Sequence, residues 1–321
     1  MNFLIDIIIP AYNAEMHIVR TLNSIPKDID VNIIIVDDGS VDKTKDVVNE
    51  YIKRNKCNIN YVYQENKGEA GARNTGIEKS KAKYILFLDS DDELIIEDFE
   101  KILRLLKMGE YSILLGGYKK ELSDGASYTV KYNQLEGDID FLIKSFFIRK
   151  LNPGIGNTFF KSEIIKHKNI KFENYKYGAD NEFVRRFLIL SEKKQKILVS
   201  KDVFFSYNYN IDSLMNQKFS VERLDSIKSV VATRELCKEL KFEKYIKYLN
   251  IFLINEIRGV YYQAVIQNGN KSEKEILKYL PKEMDMKLLF DRKKIKTSLH
   301  NAIFYFSPSI YKLLALFKKE K

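Results

Sequence analysis

The chain opens on "FLIDIII" (3–9), an apolar run rich in β-branched residues and far too short to span a membrane. Runs of the same kind return at "VNIIIV" (31–36), "INYVY" (59–63), "YILFL" (84–88) and "YSILLGGY" (111–118). Between them, over 14–25, 42–54, about 69–80 and about 94–107, apolar residues fall at helical spacing. Near-continuous apolar strands separated by amphipathic helices predict strands that lie parallel and are covered on both faces. The expected fold class is α/β, a Rossmann-like and mostly parallel sheet with helices on both faces, followed by a helical C-terminal region.

The middle of the chain mixes the two periods. "SYTVKY" (127–132) reads as strand and "DIDFLIKSFFI" (138–148) as helix. "NEFVRRFLILSEK" (181–193) reads as a helix with Phe183, Val184, Phe187, Leu188 and Leu190 as its apolar residues, and "KILVS" and "VFFSYNY" return to strand. "LNPGIGNTFFKSEII" (151–165) is expected to be a loop, either shaping a pocket or serving as a plain connection. From about 217 the pattern predicts helices over 219–240, 242–267, 272–280 and 294–318, the last around Pro308. The expected domains are 1–215 and 216–321.

A chain of 321 residues supplies a sizeable core. The formal net charge is +10, unevenly placed: residues 1–120 hold 17 basic and 20 acidic side chains, so the remainder carries +13. A basic C-terminal half points to an anionic partner, a phosphorylated acceptor or an acidic lipid surface. No nucleic-acid reading motif appears, and nucleic acid is not expected as a partner. The segment "LHNAIFYFSPSIYKLLALFKKEK" mixes aromatic and aliphatic residues with terminal lysines. It reads either as a helix lying in a membrane interface or as one packed on the core. Cys57 and Cys237 form no CxxC pair and are expected to be reduced thiols. The start is too acidic for a signal peptide, so the expected location is cytoplasmic, at most peripheral on a membrane. His17, His167 and His300 share no metal spacing.

The candidate chemistry lies at the strand ends. In open parallel sheets ligands bind beyond the carboxyl ends of the strands. "IIIVDDGS" ends in Asp37 and Asp38, and "YILFLDSDDEL" ends in Asp89, Asp91, Asp92 and Glu93. Asp-x-Asp offers hard oxygen ligands for Mg²⁺ or Mn²⁺, with substrate phosphates completing the shell. The structural alternative is helix capping, with Asp92 and Glu93 in the first turn of the next helix. "ENKGEAGARNTG" (65–76) sets glycines, Lys67 and Arg73 between a strand and a helix, where backbone approaches anions easily. It is neither a P-loop nor GxGxxG.

"DIIIPAYN", "IIIVDDGSVDKT", "NKGEAGARNTG" and "YILFLDSDD", in this order and spacing, resemble the family 2 glycosyltransferases of the GT-A fold. The motifs span residues 6–92, and the resemblance continues more weakly to about 215. It implies an inverting enzyme that moves a sugar from a nucleotide diphosphate, most often a UDP-sugar, to an acceptor hydroxyl, with 1–215 as the catalytic domain. The acceptor it implies is a cell-surface glycan, in many bacterial relatives polyprenyl-linked at the inner face of the cytoplasmic membrane. By resemblance, Pro10, Ala11 and Tyr12 line the nucleoside pocket, Asp37 contacts the uracil, and Arg73 stands by the nucleotide and the metal loop. Lys67, Gly68 and Ser90 join the nucleotide-sugar site, Asp89 reaches ribose or metal, and Asp91 is the direct metal ligand.

An inverting displacement needs a general base opposite the leaving group. The family places an Asp there in a Gly-Glu-Asp segment, and "YKYGADNEF" (175–183) fits that slot with Asp180, although Ala179 replaces the Glu. Asp180 also reads as the N-cap of helix 181–193. A second departure is Asn208 and Asn210 in "FFSYNYNIDS" (204–213), where relatives carry an Arg, which leaves Lys218 and Arg223 as candidates to close over a diphosphate. A non-catalytic partner that keeps the fold without turnover is the alternative these departures allow. The sequence names neither the sugar nor the oligomeric state.

Overall fold

The structure, a computed structural model, describes residues 3–27, 30–55, 57–209, 218–268, 272–285, 289 and 295–319. The chain forms two compact units. The first comprises 1–142, 153–174 and 186–211; the second comprises 143–152, 175–185 and 212–321.

The first unit is built on one sheet. Its strands are β1 (Ile5–Ala11), β2 (Val31–Asp37), β3 (Ile59–Tyr63), β4 (Tyr84–Phe87), β5 (Glu93–Leu94), β6 (Ile113–Glu121), β7 (Ser127–Val130), β8 (Leu135–Asp138), β9 (Thr158–Lys161) and β10 (Lys196–Tyr207). The order is β3-β2-β1-β4-β9-β6-β10-β5, with β7 beside β6 and β8 beside β10. β1 pairs in parallel with both β2 and β4, and β2 with β3, as the apolar runs predict. The order turns back at β1, and the crevice at such a reversal is where this architecture holds ligands.

Two features depart from the sequence reading. The stretch read as a loop over 151–165 contains β9, inserted antiparallel between β4 and β6. It also contains the start of the short helix Ser162–His167. Thr158, Phe159 and Phe160 are buried, and β9 has no alternation of its own because both its faces are covered. "KILVS" and "VFFSYNY" form the single strand β10, irregular where it pairs with β6 between Val199 and Phe205.

Helices α1 (Ile18–Asn23), α2 (Thr44–Arg54), α3 (Gly68–Lys79) and α4 (Ile96–Met108) join the N-terminal strands. α4 buries Phe99, Ile102, Leu103 and Leu106, a stripe at helical spacing. α3 lies close on β1, because a Cβ on Gly76 would stand 2.3 Å from Ile8 Cγ2. The acid of the first motif is structural: Asp6 is 1% exposed and accepts from Asn32 Nδ2 at 2.6 Å and from the Lys81 and Ala82 amides at 2.7 and 2.8 Å.

The second unit is helical. Helix α5 (Ile139–Phe147) and helix α7 (Ala179–Leu190) each divide between the two groupings, while α6 is the short helix after β9. α8 (Leu224–Glu239), α9 (Ile246–Asn268), α10 (Glu273–Leu277), α11 (Ile295–Phe306) and α12 (Pro308–Lys319) complete the unit. α9 is its core helix, burying Leu249, Phe252, Leu253, Ile257, Tyr261 and Ala264. Phe252 meets Phe146 edge-on at 5.3 Å, and the Arg149 and Arg185 guanidinium groups lie 5.1 and 5.4 Å from its ring centre.

Candidate active site

The carboxyl ends of β1, β2, β3 and β4 converge on a set of polar side chains held by one another. Asp37 closes β2 and is 1% exposed. Its Oδ1 accepts the Ser40 amide at 2.8 Å, and its Oδ2 accepts the Tyr61 hydroxyl from β3. Burial, and then Asp37 itself, push the Tyr61 pKa up, which keeps the phenol a donor. Asp38 is equally buried and accepts from Gln64 Nε2 at 2.6 Å and from the Lys67 amide at 2.8 Å. Gly39 turns the chain at φ +80°, and a side chain there would press on the Asn66 amide.

Pro10 and Ala11 are buried at the end of β1, while Tyr12 beyond them is 53% exposed. Asn13 ties this end to the next loop: its amide donates to Ser40 Oγ and its Oδ1 accepts the Val41 amide, both at 3.0 Å. Lys67 is exposed, and Gly68 starts α3 at φ +76° with open space around its Cα.

Arg73 is the buried cation of the site, 1% exposed. Its Nη2 donates to Asp89 Oδ1 at 2.8 Å and to Glu69 Oε1 at 2.7 Å, and its guanidinium lies 5.2 Å from the Phe172 ring centre. Phe172 is held by reciprocal bonds with Asn74 at 2.9 and 2.7 Å and by an edge-on contact with Phe87 of β4. The structure thus brings Arg73 to Asp89, as the motifs imply. A fixed guanidinium keeps one oxygen of Asp89 in place and offsets the repulsion of the neighbouring acids.

Asp89, Ser90 and Asp91 follow β4 and remain partly exposed. Asp92 does not: it is 2% exposed and accepts the Asn208 amide at 2.9 Å. Burial, and then Asp89, raise its pKa well above the usual carboxylate range. The capping alternative for Asp92 and Glu93 does not hold. α4 starts at Ile96, and Glu93 and Leu94 form β5, paired antiparallel with Ser206 and Phe205. The cause is long-range pairing with β10, which a local pattern does not contain.

Sequence reasoning missed three residues that fix this loop. Arg20 Nη2 donates to the Asp91 carbonyl at 2.8 Å, and its Nε faces Glu93 at 3.1 Å. Asn208 Nδ2 donates to the same two groups at 2.8 and 2.9 Å. Thr21 Oγ1 donates to the Ser90 carbonyl at 2.8 Å. Asn208 stands where relatives were expected to carry an Arg, and here Arg20, from α1, brings a guanidinium to the same loop. Asn210 lies outside the described residues. Lys218 is exposed, whereas Arg223 is buried over the Tyr177 ring at 4.6 Å, within the helical unit.

Asp180 sits in the first turn of α7, not at its N-cap. The capping position falls to Gly178, whose carbonyl accepts the Glu182 amide at 2.9 Å. The segment 175–185 groups with the helical unit.

Among the described residues no three His, Cys, Asp or Glu side chains cluster as a complete metal site. Asp91 with the remaining oxygen of Asp89 fits the other arrangement, in which one or two carboxylates hold Mg²⁺ or Mn²⁺ and substrate phosphates supply the rest.

Residues 6–169 match the family described as Glycosyl transferase family 2. The chain belongs to the family 2 glycosyltransferases. It is 31% identical over 223 residues, 67% of this chain and 83% of the other, to an "Uncharacterized glycosyltransferase" of Haemophilus influenzae. It is 32% identical over 209 residues to a poly(ribitol-phosphate) beta-glucosyltransferase of Bacillus spizizenii, covering 63% of this chain and 32% of that one. The fold of the glycosyltransferase resembles residues 1–349 of S. aureus TarS, solved with UDP-GlcNAc: TM-score 0.71, 19% identity, 96% of this chain and 92% of that one. The transferase therefore has the GT-A-like α/β architecture that its motifs imply, followed by helices.

Proposed function

We propose that this glycosyltransferase takes a sugar from a UDP-sugar and passes it, with inversion, to a hydroxyl of a cell-surface glycan acceptor of the teichoic acid type. The observation that carries the reading is the Arg73–Asp89 pair at the carboxyl ends of the parallel strands, with Asp91 partly exposed beside it. Pro10, Ala11, Tyr12 and Asp37 hold the nucleoside, while Lys67 and the start of α3 favour the diphosphate. Asp91 and Asp89 would hold Mn²⁺ or Mg²⁺, and the chemistry it would supply is neutralisation of charge on the departing UDP. Arg73 keeps Asp89 oriented. Asp180 takes the proton from the acceptor hydroxyl. The UDP donor and the polyol-phosphate acceptor are suggested by the TarS complex and the Bacillus relative.

Among the described residues no helix is long and apolar enough to cross a membrane. The reading places the enzyme at the inner face of the cell membrane through α11 and α12. Phe306, Ile310, Leu313 and Leu314 form an exposed apolar stripe there, 47–63% exposed, in a segment that carries Lys296, Lys312, Lys318 and Lys319.

The test is UDP release from a panel of UDP-sugars with Mn²⁺, with and without a poly(ribitol phosphate) acceptor. Metal-dependent release that the acceptor accelerates and Asp91→Ala abolishes supports the reading. Binding of UDP with no release on any donor and acceptor would establish the non-catalytic partner instead.

A further inference from the structure

We propose that α8 is a bracket for the catalytic carboxylate, with Arg185 as its positioning residue; this rests on the reading of Asp180 as the base. The segment around Asp180 is gripped at successive points by one stretch of chain. The Lys176 amide donates to Asp225 Oδ2 at 3.2 Å. Arg223 covers the Tyr177 ring. Gly178, at φ +83°, lies so near α8 that a Cβ there would stand 3.0 Å from Ser226 Cα. Arg185 Nη2 donates to Ser229 Oγ at 2.7 Å, and its Nε to Thr233 Oγ1 at 3.0 Å.

Positions 225, 226, 229 and 233 share one face of α8. Asp180 therefore stands between a grip at Gly178 and another at Arg185, so both its flanks are fixed. Gly178 has a specific reason to be glycine: its backbone is left-handed, and a Cβ there would be crowded against Ser226 of α8.

Arg185 is 1% exposed, and burial lowers its pKa to about 10 against the opposing pull of Glu256 and Glu182. A buried cation is a costly way to pack two helices, and an apolar side chain would pack them more cheaply. What the guanidinium adds is direction, since its planar fork meets two hydroxyls at fixed positions on α8. The helical unit is thus part of the reaction machinery: it sets where Asp180 stands.

The test uses the full chain with Asp225→Ala, Ser229→Ala, their combination, and Arg185→Met. Expected are faster hydrogen exchange of the 176–182 amides, unchanged exchange in β1 and β4, and a UDP–Mn²⁺ dissociation constant within about twofold of wild type. On the UDP-sugar panel kcat falls about tenfold while the donor KM holds, because displacing a reacting group by less than 1 Å has that order of effect. Arg185→Lys keeps one of the two hydroxyl bonds and recovers part of the loss. If Arg185→Met does not fold, Asp225→Ala and Ser229→Ala each remove a single grip and carry the test. Wild-type amide protection and kcat in the combined variant would overturn the bracket, as would a rise in KM at constant kcat. Asp180→Asn separates the two claims. If it transfers normally, the base reading fails; if it is inactive while the bracket variants behave as wild type, only the bracket fails.

Discussion

The sheet unit and the helical unit place their functional residues by different physics. In the sheet unit each motif residue lies at the end of a parallel strand or in the helix that follows it, and parallel pairing carries all of them to one edge. Spacing along the chain is then enough to say that Asp37, Arg73 and Asp89 converge. In the helical unit Asp180 depends on a helix that begins more than forty residues later in the chain, and nothing near Asp180 announces Arg223, Asp225 or Ser229 as its neighbours. On the proposed reading the sheet side presents charge to a ligand, whereas the helical side buries charge to hold a backbone. Arg73 and Arg185 make the contrast concrete. Both are 1% exposed, yet Arg73 reaches two carboxylates and Arg185 two hydroxyls.

This division separates the effects of variants. The largest loss is expected from Asp91→Ala, with UDP release down at least about 10³-fold, because a missing electrostatic partner of the leaving group has this order of cost. Metal-dependent UDP binding, followed by calorimetry, weakens with it. Asp180→Asn lowers transfer by about 10²- to 10⁴-fold, the range for a general base, with calorimetric UDP–Mn²⁺ affinity unchanged. If Asp180→Asn lost UDP binding along with turnover, the division into a donor side and an acceptor side would be wrong.

A third change probes the helical core. Phe252→Ala should destabilise the protein by about 3–5 kcal/mol, the usual cost of deleting a buried ring, because it removes the stacking surface shared by Phe146, Arg149 and Arg185. Thermal unfolding reads this, and a melting temperature equal to wild type would show that Phe252 does not organise that unit. Asn208→Ala should raise the Mn²⁺ concentration for half-maximal UDP binding by about tenfold, as loss of outer-shell partners does. Arg20 still grips the same carbonyl, so binding is weakened rather than lost. The smallest effect concerns the surface. Ile310→Ser with Leu313→Ser should lower partition onto anionic vesicles several-fold, with turnover on a soluble acceptor unchanged. Equal partition of the variant and wild type would remove that face from consideration.

Legibility followed the range of the interactions. β1, β2, β3 and β4 were evident because buried parallel strands are apolar throughout and are bounded by helices. β9 was not, since "TFFK" after a Pro- and Gly-rich stretch has neither the length nor the flanks of a strand, and its pairing comes from β4 and β6. For Asp92 and Glu93 the structural alternative was a helix start, because acids before an amphipathic run usually are one. β10 claimed them instead, through Phe205, Ser206 and Asn208. The motif nominates Asp180, but not its place in the first turn behind Gly178.

The parallel strands β1 to β4, the acids at their ends and the pairing of a glycine-rich turn with Arg73 were written in the chain. Burial on both faces and period-2 or period-3.6 spacing are local properties of residue type. The tertiary structure alone decided which unit holds Asp180, which groups grip the Asp89–Asp91 loop, and that Asp92 is buried rather than exposed. Those outcomes depend on residues tens of positions apart meeting at hydrogen-bond distance, and a side chain's partners across such a gap are set by packing, not by its neighbours in sequence.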